Sequence, residues 1–356
     1  MTSVTLGGIV TLEDVATKAG VSISTASRSL SGVGNVSKAT QARVLSAAEG
    51  LGYRYNPLLG EVMRSTRRGA PNHYLGTLAY ITPCEDAQEW RDTPTLCRHW
   101  SAARDQAARL SFGVSEFVLT AHGMTGRRLA EILRARGIAG ILLAAFPKDP
   151  FELVFPWEHF ATVPVGHVVQ NPQFDCVVSD HTQAVLMAGR VLAARGYRRI
   201  GLAIEHYQNA ITNHGWANGY AALPTEFPAL AAIPPLLPDR ITAPAFTAWV
   251  RKCEVDCVLT LSTFRNAPNP MPEWLAECGL RCPRDIGLVS LDITSATATW
   301  AGIDQNSDEI GRAAVDMVLS KLRAGERGIP KVRRTMLVHC QWRDGDTVRT
   351  VDEATA

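Results

Sequence analysis

Residues 11–63, TLEDVATKAGVSISTASRSLSGVGNVSKATQARVLSAAEGLGYRYNPLLGEVM, constrain the fold more than any other stretch of the chain. They read as three short helices, a turn and a fourth short helical segment. Thr11 is a good N-cap and Asp14 follows at the third helical position, a pairing that satisfies two backbone N–H groups at a helix start. Leu12, Val15, Ala16 and Ala19 then recur at helical spacing and make one apolar stripe. Gly20 supplies a tight turn, Val21 fills the corner, and Ser22 caps a second helix whose inward positions are Ala26 and Leu30. Two short helices joined by a glycine-containing turn form a helix-turn-helix unit. After a loop over residues 32–35, Ser37 caps a third helix in which Val44, Ala47, Ala48 and Leu51 face the other two.

The outward side of the second helix carries the chemistry. Ser22, Ile23, Ser24, Thr25, Ser27 and Arg28 crowd its first turns. Such a surface of small and hydrogen-bonding groups suits a DNA major groove about 12 Å wide. Arg28 can bond a guanine edge at two points, and the hydroxyls suit phosphates or base edges. On an isolated helix the same residues would describe a capped surface with a solvated arginine. The three-helix context favours DNA.

TLEDVATKAGVSISTASRSLSG, followed by VSKATQARVLSAAEGLGYRYNP, resembles the headpiece of the LacI/GalR family of bacterial transcriptional regulators. Helix caps, turn glycine and loop lengths all agree without a break. The resemblance implies that Ile23, Ser24 and Arg28 read bases, with Thr11 and Asn35 also on the DNA side. It further implies that Asn56 and Pro57 open a hinge helix. In that family two hinge helices lie together in the minor groove and push an apolar side chain into the base stack. That position falls on Val62, beside Met63. Leu59 stands in place of a small residue and Gly60 in place of a polar or basic one. A glycine weakens an isolated helix by about 1 kcal/mol, so the hinge is expected to order on DNA.

Charge is distributed to match. Residues 1–75 hold Lys18, Arg28, Lys38, Arg43, Arg54, Arg64, Arg67 and Arg68 against Glu13, Asp14, Glu49 and Glu61, a balance of +4. The whole chain carries +2, so the remainder is at −2, and the basic end is where phosphates would be met. At 356 residues the chain exceeds one small core and leaves room for a large regulatory body. No apolar run approaches the roughly 18 residues of a spanning helix. Residues 1–10 lack the basic start and apolar segment of a secretory signal. They are expected to be a flexible leader, with the protein in the cytoplasm.

Residues 57–75 read as hinge and linker, broken by Gly69 and Pro71. From Gly76 the pattern alternates strand and helix. GTLAYI, VSEFVL, GILLAA, VPVGHVV, CVVSD, RRIGLAI, VDCVLTL and IGLVSLD are strands; helices are expected around residues 100–110, 127–136 and 181–194. Such alternation implies parallel sheets covered on both faces. The fold class expected is therefore an all-α helix-turn-helix headpiece over 11–56 plus an α/β bilobed effector domain over 76–345. The second part resembles the periplasmic-binding-protein-like body of the same family. By that resemblance the first lobe spans about 76–175 and 297–328, and the second about 176–296 and 329–345. Residues 346–356 are expected to be a loose polar tail.

Ligands of open α/β sheets bind beyond the carboxyl ends of strands. Thr82, Asp180 and Asp292 sit at such ends, although Asp180 also precedes a helix that it can simply cap. Asp180, Asp292 and Gln305 match cleft positions of the family. Where the family usually carries an arginine, this chain has Trp216. An indole suits the apolar face of a sugar ring, whereas arginine suits carboxylates or phosphates. With Trp90 and His167, it points to an uncharged ring-shaped effector such as a monosaccharide. The alternative is that Trp216 is packing and His167 a buried strand histidine.

Cys253/Cys257 and Cys278/Cys282 form two C-x-x-x-C pairs, but the spacing matches no familiar zinc site, and Cys257 lies in an apolar strand pattern. No metal or cofactor is expected. The chain has no G-x-S-x-G, H-E-x-x-H, P-loop or strand-linked G-x-G-x-x-G. The function expected is a homodimeric, sequence-specific regulator, a repressor of a palindromic operator, set allosterically by a sugar. The alternatives are a solute-binding protein or a sugar-acting enzyme on the same bilobed body.

Overall fold

A computed structural model describes residues 10–31, 36–53, 75–82, 89–119, 124–144, 154–166, 171–264 and 267–350. Asn35, Asn56, Leu59, Val62, Met63 and His167 lie outside the described residues, as do most of the leader and of the hinge and linker.

Three helices make the headpiece: α1 (Leu12–Ala19), α2 (Ile23–Ser31) and α3 (Lys38–Leu51). Thr11 and Asp14 form a reciprocal capping box, each accepting from the other's backbone N–H. Gly20 adopts φ 62°, a left-handed conformation that a Cβ would resist, and its N–H bonds back to Ala16 and Thr17. Ser37 caps α3 through the Thr40 N–H at 3.2 Å. Val15, Ala16, Ala19, Ala26, Val44, Ala47 and Ala48 form the core, rimmed by Leu12, Val21, Leu30, Leu51 and Tyr53.

The first lobe is built from β1 (Gly76–Thr82), α4 (Pro94–Arg109), β2 (Phe112–Val118), α5 (Gly126–Ala135), β3 (Gly140–Leu143) and β4 (Ala161–Pro164). Its sheet runs β2-β1-β3-β4, all parallel. Alternate residues of β1 face opposite layers, as strand geometry requires. Leu78 and Tyr80 pack on one side, Ala79 and Ile81 on the other with Leu129 and Leu133 of α5.

After β5 (Cys176–Ser179) come α6 (His181–Ala194), β6 (Ile200–Leu202), α7 (His206–Ala210), α8 (Gly215–Glu226), α9 (Ala243–Lys252) and β7 (Cys257–Thr260). A short hairpin, β8 (Thr263–Phe264) and β9 (Ala267–Pro268), leads to α10 (Met271–Glu277), β10 (Gly287–Ser290) and β11 (Ala301–Asp304). The chain ends with α11 (Ser307–Ala324), β12 (Thr335–Val338) and β13 (Gln341–Arg343). The second sheet runs β13-β11-β10-β7-β6, parallel except for β13. One face carries α6 and α8; the other carries α9 and α10.

Sheet membership differs from the expected lobe boundaries. β5 pairs with β12 and continues from β4 through a Val165–Val177 bridge, so both strands belong with the first lobe. β11 lies between β10 and β13 in the second sheet, while α11 packs back on α4 of the first lobe. The chain therefore crosses between lobes at residues 179–181, 304–307 and 338–341. A buried four-residue strand reads alike in either sheet, and only its hydrogen-bonded neighbour decides where it belongs.

The expected loose tail is also corrected as far as Thr350. Thr347 exchanges two hydrogen bonds with Leu288 and Ala301 and accepts a third in its carbonyl, Val348 is buried, and the Arg349 N–H donates to the Tyr197 hydroxyl. One apolar residue and one hydroxyl suffice to pin this segment. Among the described residues no helix is long and apolar enough to cross a membrane.

Candidate nucleic-acid interface and interlobe cleft

The outer face of α2 has the composition read from sequence. Ser22, Ile23, Ser24 and Arg28 are exposed, Ile23 by 45%, while Thr25 and Ser27 are half-buried. Ser22 receives the Thr25 N–H, and its hydroxyl lies 2.9 Å from those of Ser24 and Thr25. The helix start thus presents a small hydroxyl cluster. One turn on, Arg28 donates its Nε to the Ser24 carbonyl at 3.2 Å, which holds the guanidinium along the helix. Ser29, which sequence reading passed over, is buried, bonds Thr25 and receives Gln41 of α3 on its carbonyl. That contact fixes the angle at which α2 is presented. Thr11 is exposed, but its hydroxyl donates to Asp14 and serves α1.

The three crossings bring several expected cleft residues together. Asp180 caps α6 by accepting the Gln183 N–H at 3.0 Å, and its own N–H donates to Val338 of the third crossing. Gln305 is buried and joins the ends of two strands: it accepts from the Ser179 hydroxyl at 3.2 Å and donates to the Leu291 carbonyl at 3.1 Å. Asn306 donates to the His339 carbonyl at 2.7 Å and so ties the second crossing to the third. Asp292, beyond β10, is half-buried, and burial pushes its carboxyl up to about 6, against the Thr95 hydrogen bond that favours the charged form.

The structure places both expected cleft indoles in packed surroundings, for Trp216 the packing alternative. Trp90 is 2% exposed, its indole N–H donates to Glu116 at 2.8 Å, and it packs with Tyr80 and Trp100 under the Arg91 guanidinium. Trp216 is 1% exposed and packs against His181, ring centroids 4.2 Å apart and planes tilted by 56°, within the second-lobe core. Neither offers a ring face to solvent. A large indole whose surface is worth burying goes to the core unless something holds it out. Thr82 is likewise buried.

Two residues that sequence reading missed reach the cleft from the first lobe. Thr95 donates its hydroxyl to Asp292 at 3.2 Å. Arg98, one turn further along α4, bonds Asp308 at 2.9 Å and Asp304 at 3.2 Å. The Asp308 bonds, with the Asp304 charge adding to them, hold the guanidinium further into its charged form despite partial burial. The only sequence signal was their spacing just inside a proline-started helix. Cys257 is a fully buried strand thiol, pushed well up by burial, and no group of three metal-ligating side chains occurs among the described residues.

A helix-turn-helix unit joined to a two-sheet α/β body whose chain crosses three times between the sheets defines a DNA-binding transcriptional regulator governed by a small molecule. Comparison gives the lineage. Residues 11–56 match the profile of the bacterial regulatory proteins of the lacI family, and residues 90–228 that of the periplasmic binding proteins and sugar binding domain of LacI family. Residues 266–348 match a periplasmic binding protein-like domain. The chain thus joins a LacI-family DNA-binding domain to periplasmic-binding-protein-like domains, the arrangement of LacI-family regulators.

It is similar to the maltose regulon regulatory protein MalI of Escherichia coli, 24% identical over 86% of this chain and 79% of that protein. It is also similar to the HTH-type transcriptional repressor PurR of Haemophilus influenzae, 22% identical over 91% and 94%. The fold matches the transcriptional regulator CelR in its cellobiose complex, with TM-score 0.56 and 20% identity over 95% of this chain and 99% of that one. It also matches the lac repressor dimer bound to operator and the anti-inducer ONPF, with TM-score 0.53 and 18% identity over 96% and 99%.

Proposed function

We propose that this regulator is a cytoplasmic repressor that binds a palindromic operator as a homodimer and is switched by a neutral, hydroxyl-rich molecule of the sugar class. The observation that carries the reading is that Asp180 and Gln305 sit at two of the interlobe crossings and Asp292 just beyond β10, on a chain whose headpiece presents Ser22, Ile23, Ser24 and Arg28 outward. Carboxylates accept hydrogen bonds from hydroxyls and amides both accept and donate, and the two carboxylates disfavour an anionic ligand. A ligand bridging the lobes couples to DNA by favouring one lobe angle, and hence one separation of paired headpieces.

Within the DNA face, Ile23, Ser24 and Arg28 carry base reading, supported by Thr11, Ser22, Thr25 and Ser27. From the family resemblance, Asn35, Asn56, Leu59, Val62 and Met63 complete it. Binding rather than turnover suits the cleft carboxylates, since Asp180 is engaged as a helix cap and Asp292 by Thr95. Selection of bound fragments from genomic DNA, with and without a panel of pentoses, hexoses, disaccharides and sugar phosphates, tests the reading. Retention of one palindromic motif, altered by an uncharged sugar, is expected. A response to phosphorylated members alone would sink the effector class, and product formation in a turnover assay would sink the non-catalytic reading.

A further inference from the structure

The N-terminal turns of α4 reach across the cleft. α4 belongs to the first lobe, packed along α11 and against β2. Its Thr95 hydroxyl donates to Asp292 at 3.2 Å and 3.4 Å, and Asp292 follows β10 of the second sheet. Three residues on, Arg98 is anchored on its own lobe by Asp308 at the start of α11, and extends Nη1 to Asp304, the last residue of β11 in the second sheet. Thr95 and Arg98 share one helix face because residues three apart lie side by side. Both bonds are charge-assisted and partly shielded from water, where such contacts are strongest.

We propose that Thr95 and Arg98 form a built-in latch that holds the lobes together without an effector, with the Thr95 hydroxyl standing where an effector hydroxyl would bond Asp292. The second half of this rests on the effector reading above. An incoming hydroxyl or amine exchanges one donor on Asp292 for another, so the ligand shifts the lobe equilibrium only by what it adds beyond Thr95. A ligand without a donor at that point cannot release the latch. Arg98 sets the crossing at residues 304–307, and Thr95 closes the gap.

The test is hydrogen exchange and small-angle scattering on the full-length, ligand-free protein. Thr95→Val and Arg98→Gln together should speed exchange of amides in residues 290–293 and 304–307 about tenfold, the effect expected for losing hydrogen bonds to charged groups. The radius of gyration should rise, while amides of β7 keep their protection and show the fold intact. Thr95→Ser, which keeps the hydroxyl, should retain wild-type exchange. Unchanged exchange and scattering in the double variant would overturn the latch, as would a loss of protection in Thr95→Ser equal to that in Thr95→Val. The measurement needs no effector, so its failure is separate from a failure of the sugar panel to alter operator binding.

Discussion

Arg28 illustrates how one side chain is positioned by its own helix. Its Nε is held on the Ser24 carbonyl, so the guanidinium is pre-oriented before any duplex arrives. Arg28→Ala should weaken operator binding by about 1–3 kcal/mol and relax one operator position, measured by fluorescence anisotropy on specific and scrambled duplexes. Equal loss on both would make it a phosphate contact. Titration separates two other residues. His99 on α4 is buried with neither ring nitrogen hydrogen-bonded; burial, with Arg98 nearby, pushes it down to about 4, against the opposing pull of Asp308. The unfolded chain binds the extra proton between that value and the ordinary imidazole value of about 6.5, so stability falls as pH drops through that window. Asp292, raised to about 6, has the opposite sign: its folded form keeps the proton longer, and stability falls as pH rises from about 4 to 6. His99→Leu should therefore raise the thermal midpoint more at pH 5 than at pH 7. An equal shift at both would show that His99 does not titrate in this window. At this scale caps such as Thr11 and Ser37 were legible, because they act on neighbours three residues away. Trp90 and Trp216 were not, because nothing local says whether an indole faces a cleft or a core.

Elements obey the same division. The three headpiece helices and most strands were readable, since periodicity and caps are properties of short windows. The pairing of α4 with α11 was not, because their contacts join segments some two hundred residues apart, as in the Gln106–Asp316 hydrogen bond with a separation of 210. They approach closely at Gly311, where a Cβ would strike the His99 carbonyl and also sit 3.1 Å from the Ala102 Cβ. Backbone cannot yield as a side-chain tip can. Gly311→Ala should cost about 1–3 kcal/mol in a urea titration. A neutral result would mean that the helices separate freely, and the α4 latch would lose its rigid support.

Across the whole molecule, one charged network closes the first lobe. Asp175, 1% exposed, accepts from Lys321 of α11 at 2.6 Å and from Arg334 ahead of β12 at 2.8 Å, and Glu326 bridges both cations. Burial opposes the Asp175 charge, but Arg334 and Lys321 outweigh it and hold the carboxyl below its ordinary range. Removing Asp175 leaves Lys321 buried with Glu326 as its partner. Asp175→Ala should cost about 3 kcal/mol or more, read from chemical denaturation; a loss near zero would show that the network is solvent-screened. By itself, the sequence determined the helix-turn-helix headpiece, the exposed polar side of α2 and the alternating α/β body, because each is written in caps, turns and periods that span a few residues. Only tertiary structure decided which sheet β5, β11 and β12 join, which carboxylates meet at the crossings, and that Thr95 and Arg98 reach them, because those facts depend on hydrogen bonds between segments that no local pattern connects.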